Sequence, residues 1–189
     1  GISLVSNPTS IDINVSTTGS QQFDITLTLA APASLVEIDC NWTGTEQYSG
    51  RALSGSSGAN DLDVQVLVPA SLTIVGIVDN TASSPYVGGE TFIVQVNYDN
   101  GGGVSALNVD GILNFNGYAG IASVSNPAAI NISASSTGNQ QFSITLTTPG
   151  ISAAVEIDAS VAGTEEFSGN PLSDSTNSTN DLNLLVWSQ

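Results

Sequence analysis

The residues best suited to chemistry in this chain are carboxylates, and they come in two matched sets. Glu37 and Asp39 return 119 positions later as Glu156 and Asp158. On an extended strand the i, i+2 spacing puts both side chains of a pair on one face, roughly 7 Å apart at the Cα atoms. Carboxylates so placed could share a calcium ion or serve as the acid and base of glycoside hydrolysis. The same spacing also describes an exposed polar sheet face with no chemistry. Hydrolysis is the weakest of the three readings, because no aromatic platform accompanies either pair. Glu46/Glu165 and Asp61/Asp181 are likewise acidic in both sets, and no EF-hand loop spacing is present. Glu37, Asp39, Glu156 and Asp158 are therefore candidates for calcium only, and no catalytic or cofactor-binding residue is assigned.

Composition removes most other chemistries. The chain has no His, so Ser-His-Asp and Cys-His catalysis and imidazole-ligated zinc are excluded. No nucleophile-elbow, P-loop or dinucleotide fingerprint occurs, and Gly101-Gly102-Gly103 reads as a hairpin loop rather than a phosphate cradle. The expectation is a protein that is not an enzyme. Arg51 is the one basic residue against a formal net charge of -16, which argues against nucleic acid and anionic membrane surfaces as partners. No apolar run approaches the ~18 residues of a membrane span, so membrane insertion is not expected. The missing initial Met predicts a mature form after signal removal or an excised fragment. Cys40 is the only cysteine, and its counterpart is Ala159, which predicts a small buried residue rather than a reactive thiol.

Four glycosylation sequons are intact, at Asn14, Asn41, Asn131 and Asn177, whereas Asn7 is blocked by Pro8. In strand register Asn14, Asn41 and Asn131 point outward, and Asn177 falls in a Ser/Thr loop. All four are glycan candidates if the protein is secreted.

The elements that must position these residues are strands. Apolar and polar residues alternate with period two: Ile11, Ile13 and Val15; Phe23, Ile25, Leu27 and Leu29; Val36, Ile38, Cys40 and Trp42; Leu62, Val64, Val66 and Val68. The second set repeats this at Ile130 and Ile132, at Phe142, Ile144 and Leu146, at Val155, Ile157 and Val161, and at Leu182, Leu184 and Val186. Between the sets, Leu72 to Val78 is apolar on both faces, Phe92 to Tyr98 is β-rich, and Val104 to Phe115 predicts one or two short strands broken at Asp110-Gly111. No helical period stands out, and the pattern predicts an all-β antiparallel sandwich.

The offset of 119 holds from Gly1-Ile2 to Gly44-Thr45-Glu46 and becomes 120 at Asn60-Asp61-Leu62, while residues 70–119 have no partner. The chain thus carries one complete unit and part of another. Gln189 aligns with Pro69, which phases the chain as a partial module over 1–69 and a complete one over 70–189. The other phasing takes 1–119 as the whole domain and 120–189 as the open part. Either way one sandwich lacks strands, leaving unpaired backbone groups and uncovered apolar side chains. The missing strands would come from another copy by donor-strand complementation or from a longer tandem polypeptide, unless the half-unit folds alone. Leu67, Leu185 and Trp187 sit on the otherwise polar face of their strands, which predicts either a strand buried on both faces or an assembly contact.

The run Gly88-Gly89-Glu90-Thr91-Phe92-Ile93-Val94-Gln95-Val96, followed by Asn97-Tyr98-Asp99-Asn100-Gly101-Gly102 and Ala106-Leu107-Asn108-Val109, resembles the start of the Ig-like β-sandwich modules of archaeal and bacterial surface-layer and adhesin proteins. The resemblance covers about 40 residues and lacks the Lys and Arg of the commoner pattern. It implies tandem Ig-like modules and a cell-surface setting, not an activity. The resulting expectation is a structural subunit of a secreted extracellular filament or surface layer: a glycoprotein homopolymer whose partners are copies of itself. The alternative is an adhesin or carbohydrate-binding module, with Tyr48, Phe167, Trp42 and Tyr118 as aromatic candidates.

Overall fold

The computed structural model describes residues 2–4, 6–27, 34–176 and 179–188, and all regular structure among them is β. The chain divides into two compact units, Gly1–Val68 and Pro69–Gln189.

The described residues of the first unit form three antiparallel strand pairs. β1 (Ile2–Leu4) pairs with β2 (Ile25–Leu27), β3 (Ser34–Ile38) with β6 (Leu62–Val66), and β4 (Asn41–Thr45) with β5 (Ala52–Ser56).

The second unit builds two sheets from β7 (Leu72–Asp79), β8 (Tyr86–Val87), β9 (Thr91–Asn100), β10 (Ala106–Asn114), β11 (Ile121–Val124), β12 (Ile130–Ile132), β13 (Ser136–Leu146), β14 (Ala153–Glu165), β15 (Pro171–Ser175) and β16 (Leu182–Trp187). One sheet runs β11-β13-β9-β7. The other runs β12-β10-β14-β16-β8, with β15 also on β14. Every pairing is antiparallel except the short parallel contact of β8 with β16.

The sandwich core follows from period-two alternation. Phe92, Val94, Val96 and Tyr98 of β9 point inward with Phe142, Ile144 and Leu146 of β13. They meet Val155, Ile157, Ala159 and Val161 of β14 and Leu184 and Val186 of β16. Tyr86 stacks on Phe92 with ring centroids 4.3 Å apart. The β9–β10 connection is not the hairpin loop expected at Gly101-Gly102-Gly103, because β9 and β10 belong to different sheets and do not pair; its glycines carry the chain from one sheet to the other. Asn100 is buried there, donating to the carbonyls of Val104, Ile132 and Ser133 and accepting from the N–H groups of Ser71 and Gly102. A Cβ at Gly102 would lie 2.1 Å from the Pro69 carbonyl oxygen, so only glycine lets the chain pass.

Several sequence expectations are corrected. β10 runs unbroken through Asp110-Gly111, with a register shift between Leu107 and Asp110. Gly111 is needed because a Cβ there would sit 2.1 Å from the Tyr98 hydroxyl. In β7 a register shift between Ile74 and Gly76 keeps Leu72, Ile74 and Ile77 buried while Val75 and Val78 face outward. Residues 11–15 form no strand, although their counterparts include β12. Of the run from Phe23, only Ile25–Leu27 is strand, and Leu29 lies outside the described residues. The run from Val36 to Trp42 breaks at Asp39-Cys40, whereas β14 is continuous through the matching positions. These losses share a cause: β12 and β14 pair with β10, and β13 pairs with β9, and the first unit has no equivalent of either partner.

Candidate functional site

The two units repeat the same hairpins in the same register. The pairing from Ser34↔Val66 to Ile38↔Leu62 recurs from Ala153↔Val186 to Ile157↔Leu182. That from Asn41↔Ser56 to Thr45↔Ala52 recurs from Ser160↔Ser175 to Thr164↔Pro171. These shared pairings give the repeat a common frame, within which Ile13 and Phe23 lie outside strands while their twins Ile132 and Phe142 lie inside them. Ile13, Phe23, Ile25 and Trp42 are 60%, 41%, 41% and 52% exposed, whereas Ile132, Phe142, Ile144 and Val161 are 2%, 2%, 0% and 3% exposed. Leu27 is exposed and Leu146 buried in the same way. In the second unit β9 pairs alongside β13 and β10 alongside β12 and β14. The first unit therefore presents an open apolar face whose twin is sealed by β7–β10. Burying a side chain of this size contributes about 1.5–3 kcal/mol, so covering the half that remains exposed on these five side chains is worth several kcal/mol in all.

Cys40 lies on this face and is an exposed free thiol, against the expectation of burial. The expectation follows the twin, Ala159, which is buried beside β10, while Cys40 keeps its contact with Ser57 but has no counterpart of β10 among the described residues. Phe23 and Trp42, apolar members of their alternating runs, are exposed as well.

The acidic candidates assemble into trios. Glu37 and Asp39 are joined by Asp61, and Glu156 and Asp158 by Asp181, with one carboxylate oxygen from each residue of a trio within 4.8 Å of the others. The third member comes from the turn before β6 or β16, a neighbour that spacing along one strand does not reveal. Glu37 is raised above the ordinary carboxylate range by its hydrogen bond with Asp61 and then by the charge of Asp39. Glu156 is raised first by loss of hydration and then by the charges of Asp158 and Asp181. Such oxygens could be shared by a divalent cation; without one they are mutually repelling, solvated carboxylates.

The other expected positions are dispersed. Asn14, Asn41 and Asn131 are exposed, and the Asn131 side-chain oxygen accepts from Asn108 N–H at 2.9 Å. Asn177 lies outside the described residues. Leu67, Leu185 and Trp187 are all exposed, so β16 is not buried on both faces. Tyr48 and Phe167 occupy the same turn of the two units, 92% and 73% exposed. Tyr118 donates its hydroxyl to the Ile151 carbonyl at 2.7 Å. No helix among the described residues is long and apolar enough to cross a membrane. Comparison of the chain with family models and with curated proteins finds no match.

Proposed function

We propose that this chain is a structural part of a secreted extracellular filament or cell-surface layer, built from tandem Ig-like modules that join by strand complementation or by stacking. The observation that carries the reading is the contrast between one sealed sandwich and one open face with the same hairpin registers. An uncovered apolar face beside short strand pairs with open edges is a surface for assembly. The acidic, Ser/Thr/Asn-rich exterior and its sequons suit a glycosylated extracellular polymer whose partners are further modules of its kind. Negative-stain microscopy and sedimentation of the purified chain test this reading. Ordered filaments or lattices are expected, and a monodisperse 19.2 kDa monomer at high concentration would contradict it.

A second reading, an adhesin or carbohydrate-binding module, is favoured by one feature: an exposed aromatic at the same turn of each unit, Tyr48 and Phe167. Polysaccharide binding lost in the Tyr48→Ala, Phe167→Ala double variant would support it, and glycan-array silence would remove it.

A further inference from the structure

We infer that the open face of the first unit is the acceptor for a four-strand segment with the chemistry of residues 70–119, supplied by a further repeat and not by strand exchange between copies of this chain. The inference rests on the structural reading above and names the partner of its open face.

Apolar shape is one part of the argument; the polar groups are the more specific part. In the second unit, residues 70–119 are held by several side chains outside that segment, among them four that the first unit repeats. Gln140 Oε1 accepts the Tyr98 hydroxyl and the Gly111 N–H, both at 2.8 Å, while its amide nitrogen donates to the Ala128 carbonyl. Glu165 Oε1 accepts Ala70 N–H at 2.9 Å, its other oxygen being bound by Ser168. Asp158 accepts Asn116 Nδ2 at 2.9 Å on one oxygen and the Thr176 hydroxyl on the other. Asn180 donates to the Ile74 carbonyl and accepts Ile77 N–H on its own carbonyl.

The first unit keeps all four residues as Gln21, Glu46, Asp39 and Asn60, and holds three of them in the same posture. Gln21 donates its amide nitrogen to the Thr9 carbonyl, the counterpart of Ala128. Glu46 is bound by Ser49 on one oxygen, within a turn closed by the same backbone bonds. Asp39 accepts the Ser57 hydroxyl at 3.2 Å, and Ser57 accepts Cys40 N–H, as Thr176 accepts Ala159 N–H. Among the described residues nothing donates to Gln21 Oε1, Glu46 Oε1 or the second Asp39 oxygen. These are the atoms whose twins receive Tyr98, Gly111, Ala70 and Asn116. Acceptors already oriented by local bonds lower the ordering cost of receiving a segment that carries those donors.

Counting fixes the source. These 189 residues hold one segment of this type and two faces that fit it. Exchange among copies of these 189 residues leaves one face per copy open, so the occupant is a segment additional to them. Two differences show that it is not identical to 70–119. Val161 is replaced by Trp42, and Asp174, which accepts Ile74 N–H at 2.7 Å, is replaced by Gly55. The Trp42 ring lies over Gly55, where a Cβ would be 2.6 Å from it. The occupant must accommodate an indole and needs no carboxylate at that point of its first strand.

The test extends the full chain with a second copy of residues 70–119 placed before Gly1, so that Ala119 joins Gly1 as it joins Gly120. Cys40, the only thiol, reports coverage through its rate of maleimide labelling. We expect labelling roughly 100-fold slower in the extended chain than in the 189-residue chain, in line with local opening being required once the face is covered. Phe92→Asp with Val96→Asp in the added copy should restore the fast rate. Trp42→Val with Gly55→Asp, which recreates the sealed twin, should slow labelling further. Equal labelling with and without the added segment, also in the Trp42→Val, Gly55→Asp background, overturns the inference. Concentration-dependent protection in the 189-residue chain alone also overturns it, by showing that copies cover each other, and leaves the structural reading intact. Protection in the extended chain without filaments or layers from either chain would instead remove the structural reading and uphold the occupant.

Discussion

Ile25 and Ile144 sit at matched positions of the repeat, each on a strand whose outer neighbour is β1 or β11. Ile144 is sealed in a core because β9 lies along its other edge, and Ile25 is open because none of the described residues forms a strand there. The difference extends to the backbone: β13 runs from Ser136 to Leu146, whereas β2 is confined to Ile25–Leu27. One local sequence thus shows two outcomes, and the variable between them is the partner strand. Strand formation here belongs to the pairing more than to propensity, as expected where most stabilisation comes from neighbours across the ladder.

Matched substitutions sharpen this comparison. The largest effect is expected for Phe142→Ala, which should cost about 3–5 kcal/mol of unfolding free energy in urea, because the ring is buried between two sheets. Phe23→Ala should change the stability of the same chain by less than about 1 kcal/mol, because half its surface is already wet. Equal costs would mean that the two faces are equally covered. Next comes Gln140→Leu, which deprives the buried Tyr98 hydroxyl and Gly111 N–H of their acceptor, for a loss of about 1–3 kcal/mol. Gln21→Leu should be close to neutral by the same denaturation, and a comparable loss there would show that Gln21 already holds a partner.

The smallest effect is electrostatic. Glu37 and Glu156 have folded-state values raised above those of the unfolded chain. The folded state therefore takes up their protons first as pH falls. Stability rises as pH falls from neutrality through the raised range, and this gain is complete below the ordinary carboxylate value. Glu156→Gln should slightly raise the melting temperature at pH 7 and flatten its pH dependence. A lower melting temperature, with a calcium-dependent rise present only before the substitution, would show that the trio holds a cation.

Much of the architecture is legible in the chain as letters. Alternation at Phe92, Val94, Val96 and Tyr98, and at Val155, Ile157, Ala159 and Val161, marks inward faces without reference to tertiary structure. What is not legible depends on neighbours distant in sequence. Residues 11–15 alternate as strands do, yet form none, because alternation reports which face could be buried and not whether a ladder partner is present. Asp110-Gly111 reads as a break, yet lies within β10, because the glycine answers to the Tyr98 hydroxyl of another strand. Cys40 reads as buried through Ala159, and is exposed for want of the same cover. In the carboxylate clusters the i, i+2 pair is visible in sequence, while Asp61 and Asp181 join only through the pairing of β3 with β6 and β14 with β16.

Amide hydrogen exchange of the full chain, resolved by peptide fragments, compares the two faces under one set of conditions. Backbone amides of residues 136–146 and 153–165 should exchange only through global opening of the second unit, while those of 18–27 and 34–45 should exchange orders of magnitude faster. Matching protection at the paired positions would contradict the claim that one face is sealed and its twin is open.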